Sequence, residues 1–267
     1  EQGSVVTFED ISQQLADQRR AAWSDVARRI AHEIKNPLTP IQLAAERLQR
    51  RFGKSITQDE AIFTQLTSTI VRQVGDLRNI VDEFSSFARM PKPLFRAENM
   101  HDIVGHAVFM FEVAHPDIRF TYNQDGPFPT LISDRRQLGQ AITNILKNAV
   151  ESIEEKKKTV EVDGAIVIDL VVEGDGLIIR IADNGIGLPS DRQRIMEPYI
   201  TNRATGSGLG LAIVKKIIEE HFGEISLSDN QPEGAVVTLK FNPEIVALRV
   251  GKLNASPPAV NSDEVMG

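Results

Sequence analysis

The chain has 267 residues, 41% hydrophobic and 25% charged, with a net charge of −7 and no cysteine. That length suffices for one large domain or two modest ones, each with its own core. The acidic balance argues against a nucleic-acid partner, the missing cysteines exclude disulfides and thiol chemistry, and no apolar run approaches the ~20 residues of a membrane span, so this segment is expected to make no membrane contact. It opens on Glu1 rather than Met, as a piece of a longer protein does.

Residues 3–8 read as one short strand, which is not stable alone, so 1–10 is expected to be the end of an upstream domain. From 11 to 52 apolar residues recur at helical spacing, among them Ala27, Ile30, Ile34, Ile41, Ala44 and Leu48. A helix of that length exceeds what a compact domain uses and predicts a coiled-coil entry leading into a bundle helix. Within it His32 projects off the apolar stripe, next to Glu33 and one turn before Asn36. A zinc helix would need its second histidine where Asn36 stands. Pro37 in a helix interior costs about 3 kcal/mol, so a bend beside His32 is expected. Glu33 is placed to take a proton from the neighbouring imidazole.

Gly53 ends this helix, and Thr57 with Glu60 forms a capping box for the next. There Ile70, Val74, Leu77, Val81, Phe84 and Ala88 alternate four and three apart, a heptad seam. Two long helices joined by a short turn bury too little alone. The economical solution is a homodimer with a four-helix bundle, and packing against the following domain is the alternative. This hairpin domain is assigned 11–90.

Residues 91–97, with Pro91 and Pro93, read as a linker. Beyond it helices are predicted over 100–114, 135–155 and 209–221, and strands over 119–123, 130–133, 165–172, 177–182, 224–228 and 235–241. The fold class is α+β: the helical hairpin is followed, over 98–245, by an α/β sandwich with helices on one face of a mixed sheet. The tail 246–267 lacks periodicity and is expected to be disordered.

Three stretches of the second domain bear on chemistry. Asn144 and Asn148 lie four apart on one helix face at the margin of the core, although asparagine is a poor helix former. Asp183, Gly185 and Gly187 follow directly on a buried strand, where α/β folds place ligands and glycines let backbone approach a ring. Gly206, Gly208 and Gly210 open a helix whose N-terminal N–H groups suit an anion. Leu211 stands where a dinucleotide fingerprint has its third glycine, and there is no P-loop.

Together the 31–40 segment and these three stretches resemble the H, N, G1 and G2 boxes of the sensor histidine kinases, with a HisKA dimerisation domain and a GHKL ATP-binding fold. The resemblance covers nearly everything from 21 to 241. It implies that His32 receives a phosphoryl group from ATP, that Asp183 binds the adenine amino group, that Asn148 holds Mg²⁺ with Asn144 supporting the phosphates, and that Gly206, Gly208 and Gly210 meet those phosphates. Arg203 stands where many relatives carry a lysine donor to the terminal phosphate, and no phenylalanine fills the F-box position near 195–199. A Glu33-x-x-Asn36 pattern accompanies kinases that also dephosphorylate their regulator. Residues 1–10 resemble the last strand of a PAS domain. The segments 22–32 and 41–48 resemble the nitrogen-regulation kinases of the NtrY type, which implies a cytoplasmic segment of an inner-membrane protein and an NtrX-like response regulator receiver domain as partner. Two rivals are a GHKL ATPase of the gyrase or chaperone kind, whose water-activating glutamate is here replaced by Asn144, and a dimerisation scaffold without kinase activity.

Overall fold

The computed structural model describes residues 12–53, 55–56, 59–88, 90–124, 130–189, 191–192, 194–197 and 208–255. The strand expected at 3–8, the Thr57 half of the capping box, Arg203, Gly206 and the last twelve residues lie outside these. Two units divide the chain, a helical one ending at Pro91 and an α/β one beginning at Lys92.

The helical unit is a hairpin of α1 (Ser12–Phe52) and α2 (Glu60–Ala88). It turns at Gly53, whose N–H donates to the Gln49 carbonyl at 3.0 Å. Asp59 (φ 73°) begins the second arm, and its carbonyl accepts from the Phe63 N–H at 2.9 Å. Across the hairpin Gln49 Nε2 donates to Ser68 Oγ at 2.9 Å, and Lys35 forms an ion pair with Asp82. The two contacts are fourteen residues apart on each helix, two heptads, which fixes an antiparallel register. The buried seam consists mainly of small side chains at heptad spacing: Ala31, Leu38 and Ala45 on α1, Thr67, Val74 and Val81 on α2. The larger residues face elsewhere. Ile34, Ile41 and Leu48 form a second seven-residue row on α1, as Ile70 and Leu77 do on α2, and each is 41–48% exposed. The predicted heptad on α2 therefore serves two surfaces, with Val74 and Val81 toward α1 and Ile70 and Leu77 on the outside. The helix continues without interruption through Pro37 and Pro40. The prolines cannot donate to the carbonyls of Glu33 and Asn36, and both of those residues are exposed to water, which takes over such acceptors.

The α/β unit holds a five-stranded sheet in the order β2-β4-β5-β7-β6, built from β2 (Ile118–Gln124), β4 (Gly164–Glu173), β5 (Gly176–Asp183), β6 (Glu224–Asp229) and β7 (Ala235–Phe241). Only β2 and β4 pair in parallel; the other neighbours are antiparallel. Alternation on β4 shows why one face is covered: Ile166, Ile168 and Leu170 are fully buried, while Val167, Asp169 and Val171 are half-buried. Over the covered face lie α3 (Met100–Ala114), α4 (Arg135–Lys157) and α5 (Gly210–Glu220). Leu138, Ile142, Ile145, Leu146 and Ile153 of α4 and Ile213, Val214, Ile217 and Ile218 of α5 complete the core. Each such side chain contributes about 1.5–3 kcal/mol on burial. A short strand β1 (Arg96–Glu98), not foreseen from sequence, pairs antiparallel with β3 (Leu131–Ser133).

The C-terminal expectation needs correction. Instead of becoming disordered at 246, the chain forms α6 (Pro243–Ala255). Asn242 Oδ1 accepts from the Glu244 and Ile245 N–H groups at 3.1 and 3.0 Å and starts the helix. Val246 and Val250, one turn apart, are buried, which anchors it. No described helix is long and apolar enough to cross a membrane.

Candidate functional site

His32, Glu33 and Asn36 are all exposed on α1. His32 sits between Ala31 of the buried seam and Ile34 of the outer one, so it belongs to neither apolar row. Arg29 Nε donates to Glu33 Oε1 at 2.9 Å, an i,i+4 pair open to solvent. Such pairs contribute only a few tenths of a kcal/mol, so Glu33 is held loosely beside the imidazole. Asn36 follows His32 by one turn on the same side.

The second cluster is built on one stripe of α4. Asp134 N-caps that helix, its Oδ1 accepting from the Arg136 and Gln137 N–H groups at 2.9 and 3.2 Å. From there Asn144, Asn148, Ser152 and Lys156 recur every four residues. Asn144 Nδ2 donates to the Gly210 carbonyl at 3.5 Å. The Asn148 carboxamide is half-buried, and a Cβ on Gly210 would come within 3.9 Å of both its polar atoms. Ser152 Oγ donates to Asp183 Oδ1 at 3.4 Å and accepts from the Ile186 N–H at 3.1 Å. Lys156 Nζ donates to the Asn184 carbonyl at 2.8 Å. The stripe therefore spans from the start of α5 to the loop after β5.

Asp183 ends β5 and is buried. Its Oδ1 also accepts from the Gly185 N–H at 2.9 Å, and its carbonyl accepts from Asn230 Nδ2 at 2.9 Å. Hydrogen bonds to a charged group contribute about 1.5–3 kcal/mol each, which holds the carboxylate in place. Gly185 lies against Ser152 so closely that any Cβ would overlap it. Gly187 (φ 79°) and Gly208 (φ 68°) adopt backbone that favours glycine. The β6–β7 loop closes the far side. A Cβ on Gly234 would collide with the Asp183 carbonyl, and Glu233 pairs with Lys156 at 2.6 Å. That ammonium, by hydrogen bond and charge, holds the Glu233 carboxyl below its ordinary value.

Asn144, Asn148, Asp183, Gly185 and Gly210 are thus gathered at one place, with Gly187 and Gly208 on the adjoining loops. Sequence reasoning stopped at Asn144 and Asn148, although continuing the four-residue spacing would have reached Ser152 and Lys156. Asn230 and Gly234 carried no sequence signal of this kind. Among the described residues no group of three or more His, Asp or Glu side chains is arranged to hold a metal ion.

Residues 22–93 match the family described as "His Kinase A (phospho-acceptor) domain", and residues 133–245 the family described as "Histidine kinase-, DNA gyrase B-, and HSP90-like ATPase". The chain is 54% identical over 235 residues to the nitrogen regulation protein NtrY of Azorhizobium caulinodans, a match covering 88% of this chain and 30% of that protein. It is 38% identical over 234 residues to a putative sensor histidine kinase, NtrY-like, of Rickettsia prowazekii, covering 87% of this chain and 38% of the relative. It therefore spans about a third of the length of these curated relatives. Among solved structures, full-length ShkA in complex with AMPPNP shares the fold, with a TM-score of 0.62 at 20% identity over 81% of this chain and 45% of that one. An exposed histidine on a helical hairpin, followed by a carboxamide stripe facing a glycine-flanked aspartate, occurs here within two tandem family matches, and the chain belongs to the sensor histidine kinases, of the NtrY type.

Proposed function

We propose that this chain is the catalytic core of a dimeric sensor histidine kinase: with ATP and Mg²⁺ it phosphorylates His32, then passes the phosphoryl group to an aspartate of an NtrX-like response regulator receiver domain. The observation that carries the reading is the α4 stripe, which reaches the buried Asp183 at one end and the start of α5 at the other.

The residues present fit both ligands. Asp183 is a buried acceptor suited to an exocyclic amino group, Gly185 lets the turn after it close onto Ser152, and Gly210 lies beside the Asn148 carboxamide. Leu209, the N-cap of α5, makes no side-chain bond to the first turn, so that helix end suits an anion. Asn148 would hold Mg²⁺ through its side-chain oxygen, a hard ligand, while Asn144 supports the phosphates. Arg203 and Gly206 keep the phosphate-binding roles the resemblance gives them. ATP supplies the phosphoryl group, and Mg²⁺ offsets the charge on its phosphates.

The lone pair of one His32 ring nitrogen forms the N–P bond as the bond to the leaving diphosphate breaks. The proton on the other ring nitrogen passes to Glu33. Asn36, one turn on, holds a water against a phosphoaspartate docked over the helix, which adds phosphatase activity. Asn144 argues against the ATPase alternative, because its amide donates to Gly210 and a carboxamide cannot take a proton from water. The outer rows Ile34–Ile41–Leu48 and Ile70–Leu77 support a homodimer, since large apolar side chains at heptad spacing call for a partner surface. The parent protein is proposed to be anchored in the inner membrane with this segment in the cytoplasm.

The test is incubation with γ-labelled ATP and Mg²⁺. The reading expects an acid-labile, base-stable label that disappears in His32→Gln while nucleotide affinity is retained. Label persisting in His32→Gln overturns the acceptor assignment.

A further inference from the structure

Two contacts pin α4 and α5 together. At one end the Asp134 N–H donates to His221 Nε2 at 3.0 Å; at the other, Asn144 Nδ2 donates to the Gly210 carbonyl at 3.5 Å. The pinned points are ten residues apart on α4 and eleven apart on α5, about 15 Å and 16 Å of helix. Because the start of α4 meets the end of α5 and Asn144 meets its first residue, the helices run antiparallel, and the near-equal lengths between the pins couple a shift at the first to the second. His221 is fully buried at the C-cap of α5. Its Nδ1 lies 2.8 Å from the Ile217 carbonyl, which fixes the proton there and leaves Nε2 as acceptor.

The same joint receives the segment that follows α2 in sequence. The Leu94 N–H donates to Asp134 Oδ2 at 3.0 Å, and the Phe95 ring meets the His221 ring edge-on at a centroid distance of 5.3 Å. Phe95 also stacks on Phe222 at 6.2 Å. Asp134 therefore caps α4 with one oxygen, holds the connector with the other, and holds α5 through its backbone. Burial by itself would raise its carboxyl, but the Leu94, Gln137 and Arg136 N–H groups and the Arg136 charge together keep it below the ordinary carboxylate value, so it stays an acceptor.

We propose that Asp134 and His221 form a positioning joint through which docking of the connector at 92–95 sets the alignment of α4 and α5, and with it the affinity of the site for a nucleoside triphosphate. This rests on the nucleotide site proposed above. Neither residue is catalytic; both act through Asn144 and Gly210. Linkage makes the effect reciprocal, so a bound nucleotide tightens the connector by the same factor as the docked connector tightens the nucleotide.

The test uses the full chain with Mg²⁺ and AMPPNP as probe. Leu94→Pro removes one N–H from an exposed residue and leaves the nucleotide site untouched. It is expected to weaken AMPPNP binding by about fivefold, with saturating AMPPNP slowing exchange of the Leu94 amide in the parent chain by a similar factor. His221→Phe, which keeps a ring but loses the acceptor, is expected to weaken binding by about tenfold, and His221→Gln, which restores an acceptor near Nε2, to recover most of that. Variants with lowered thermal stability but unchanged affinity, and a Leu94 amide indifferent to AMPPNP, would reduce the joint to a structural cluster and overturn the proposal. A parent chain that does not bind AMPPNP at all would instead overturn the nucleotide site, and the joint with it.

Discussion

Replacing Gly185 with alanine probes how rigidly the Asp183 turn is held. The new Cβ would overlap the Ser152 hydroxyl and lie 2.6 Å from the Ser152 carbonyl carbon and 2.7 Å from its Cβ. A hydroxyl can rotate aside, but those carbons belong to the frame of α4. Reaching ordinary van der Waals separation requires the loop and helix to part by roughly 1 Å. That displacement breaks the 3.4 Å Ser152–Asp183 contact and stretches the 2.8 Å Lys156–Asn184 bond. Overpacking costs about 1–3 kcal/mol, and the lost freedom of the unfolded alanine chain returns about 0.4–1, so a net loss of about 1–2 kcal/mol is expected. Because the chain has two units, a single melting curve would mix them. Amide exchange of Ile179 and Ile181 on β5 reports the α/β unit alone and should accelerate about tenfold, with weaker AMPPNP binding. Ser152→Ala should rescue little, since it removes only the atom that can move. Unchanged protection together with unchanged binding would refute the reasoning.

Glu33→Ala should lose most autophosphorylation, by roughly the 10²–10⁴-fold of a general base, whereas Asn36→Ala should keep it and lose phosphatase activity; parallel losses in both variants would reject the division of labour. Leu77→Glu places a charge in the outer row of α2 and should turn a dimeric mass at micromolar concentration into a monomeric one with helicity kept. His221 should make the α/β unit less stable in mild acid. Burial, opposed by the Ile217 carbonyl and the Asp134 charge, lowers its folded pKa below the ordinary 6.5, so the unfolded chain binds the proton more readily. Stability is then flat above about pH 7 and falls as pH drops through 6.5 toward the folded value. Asp134, held below the ordinary carboxylate value, keeps its charge in that window, and an equal slope in His221→Gln would exclude His221 as the source.

Periodicity made the long elements legible. The row on α2 was visible as a heptad, α1 as a helical period that missed the buried Ala31, Leu38 and Ala45, and β4, β5 and β7 as β-branched runs, because each pattern records a face the residue must present. What pattern could not reveal was which face. Ile70 and Val74 look alike in the sequence, yet Val74 packs on α1 and Ile70 points away. Asn144, Asn148 and Asp183 stood out because asparagines mid-helix and an aspartate–glycine turn after a buried strand are locally costly or locally distinctive. Ser152, Asn230, Gly234 and His221 are ordinary in their own neighbourhoods. Their roles arise from contacts 31 to 87 positions away, set by sheet register and helix packing. The helix α6 escaped notice because only Val246 and Val250 among its described side chains are buried, too few to write a period.

Pro37 and Pro40 have a mechanical consequence for α1. Each removes one rung of the hydrogen-bond ladder, at the carbonyls of Glu33 and Asn36, so bending stiffness is lowest beside the histidine. From Pro37 back to Ser12 the helix is a lever of about 38 Å. A deflection of about 10° at the softened turn swings the far end by about 7 Å, more than the pitch of the helix. Conversely, a displacement of one turn at the N-terminal end, about 5.4 Å, reaches His32 as a tilt of about 8°, concentrated on the two residues whose carbonyls have no rung to hold them.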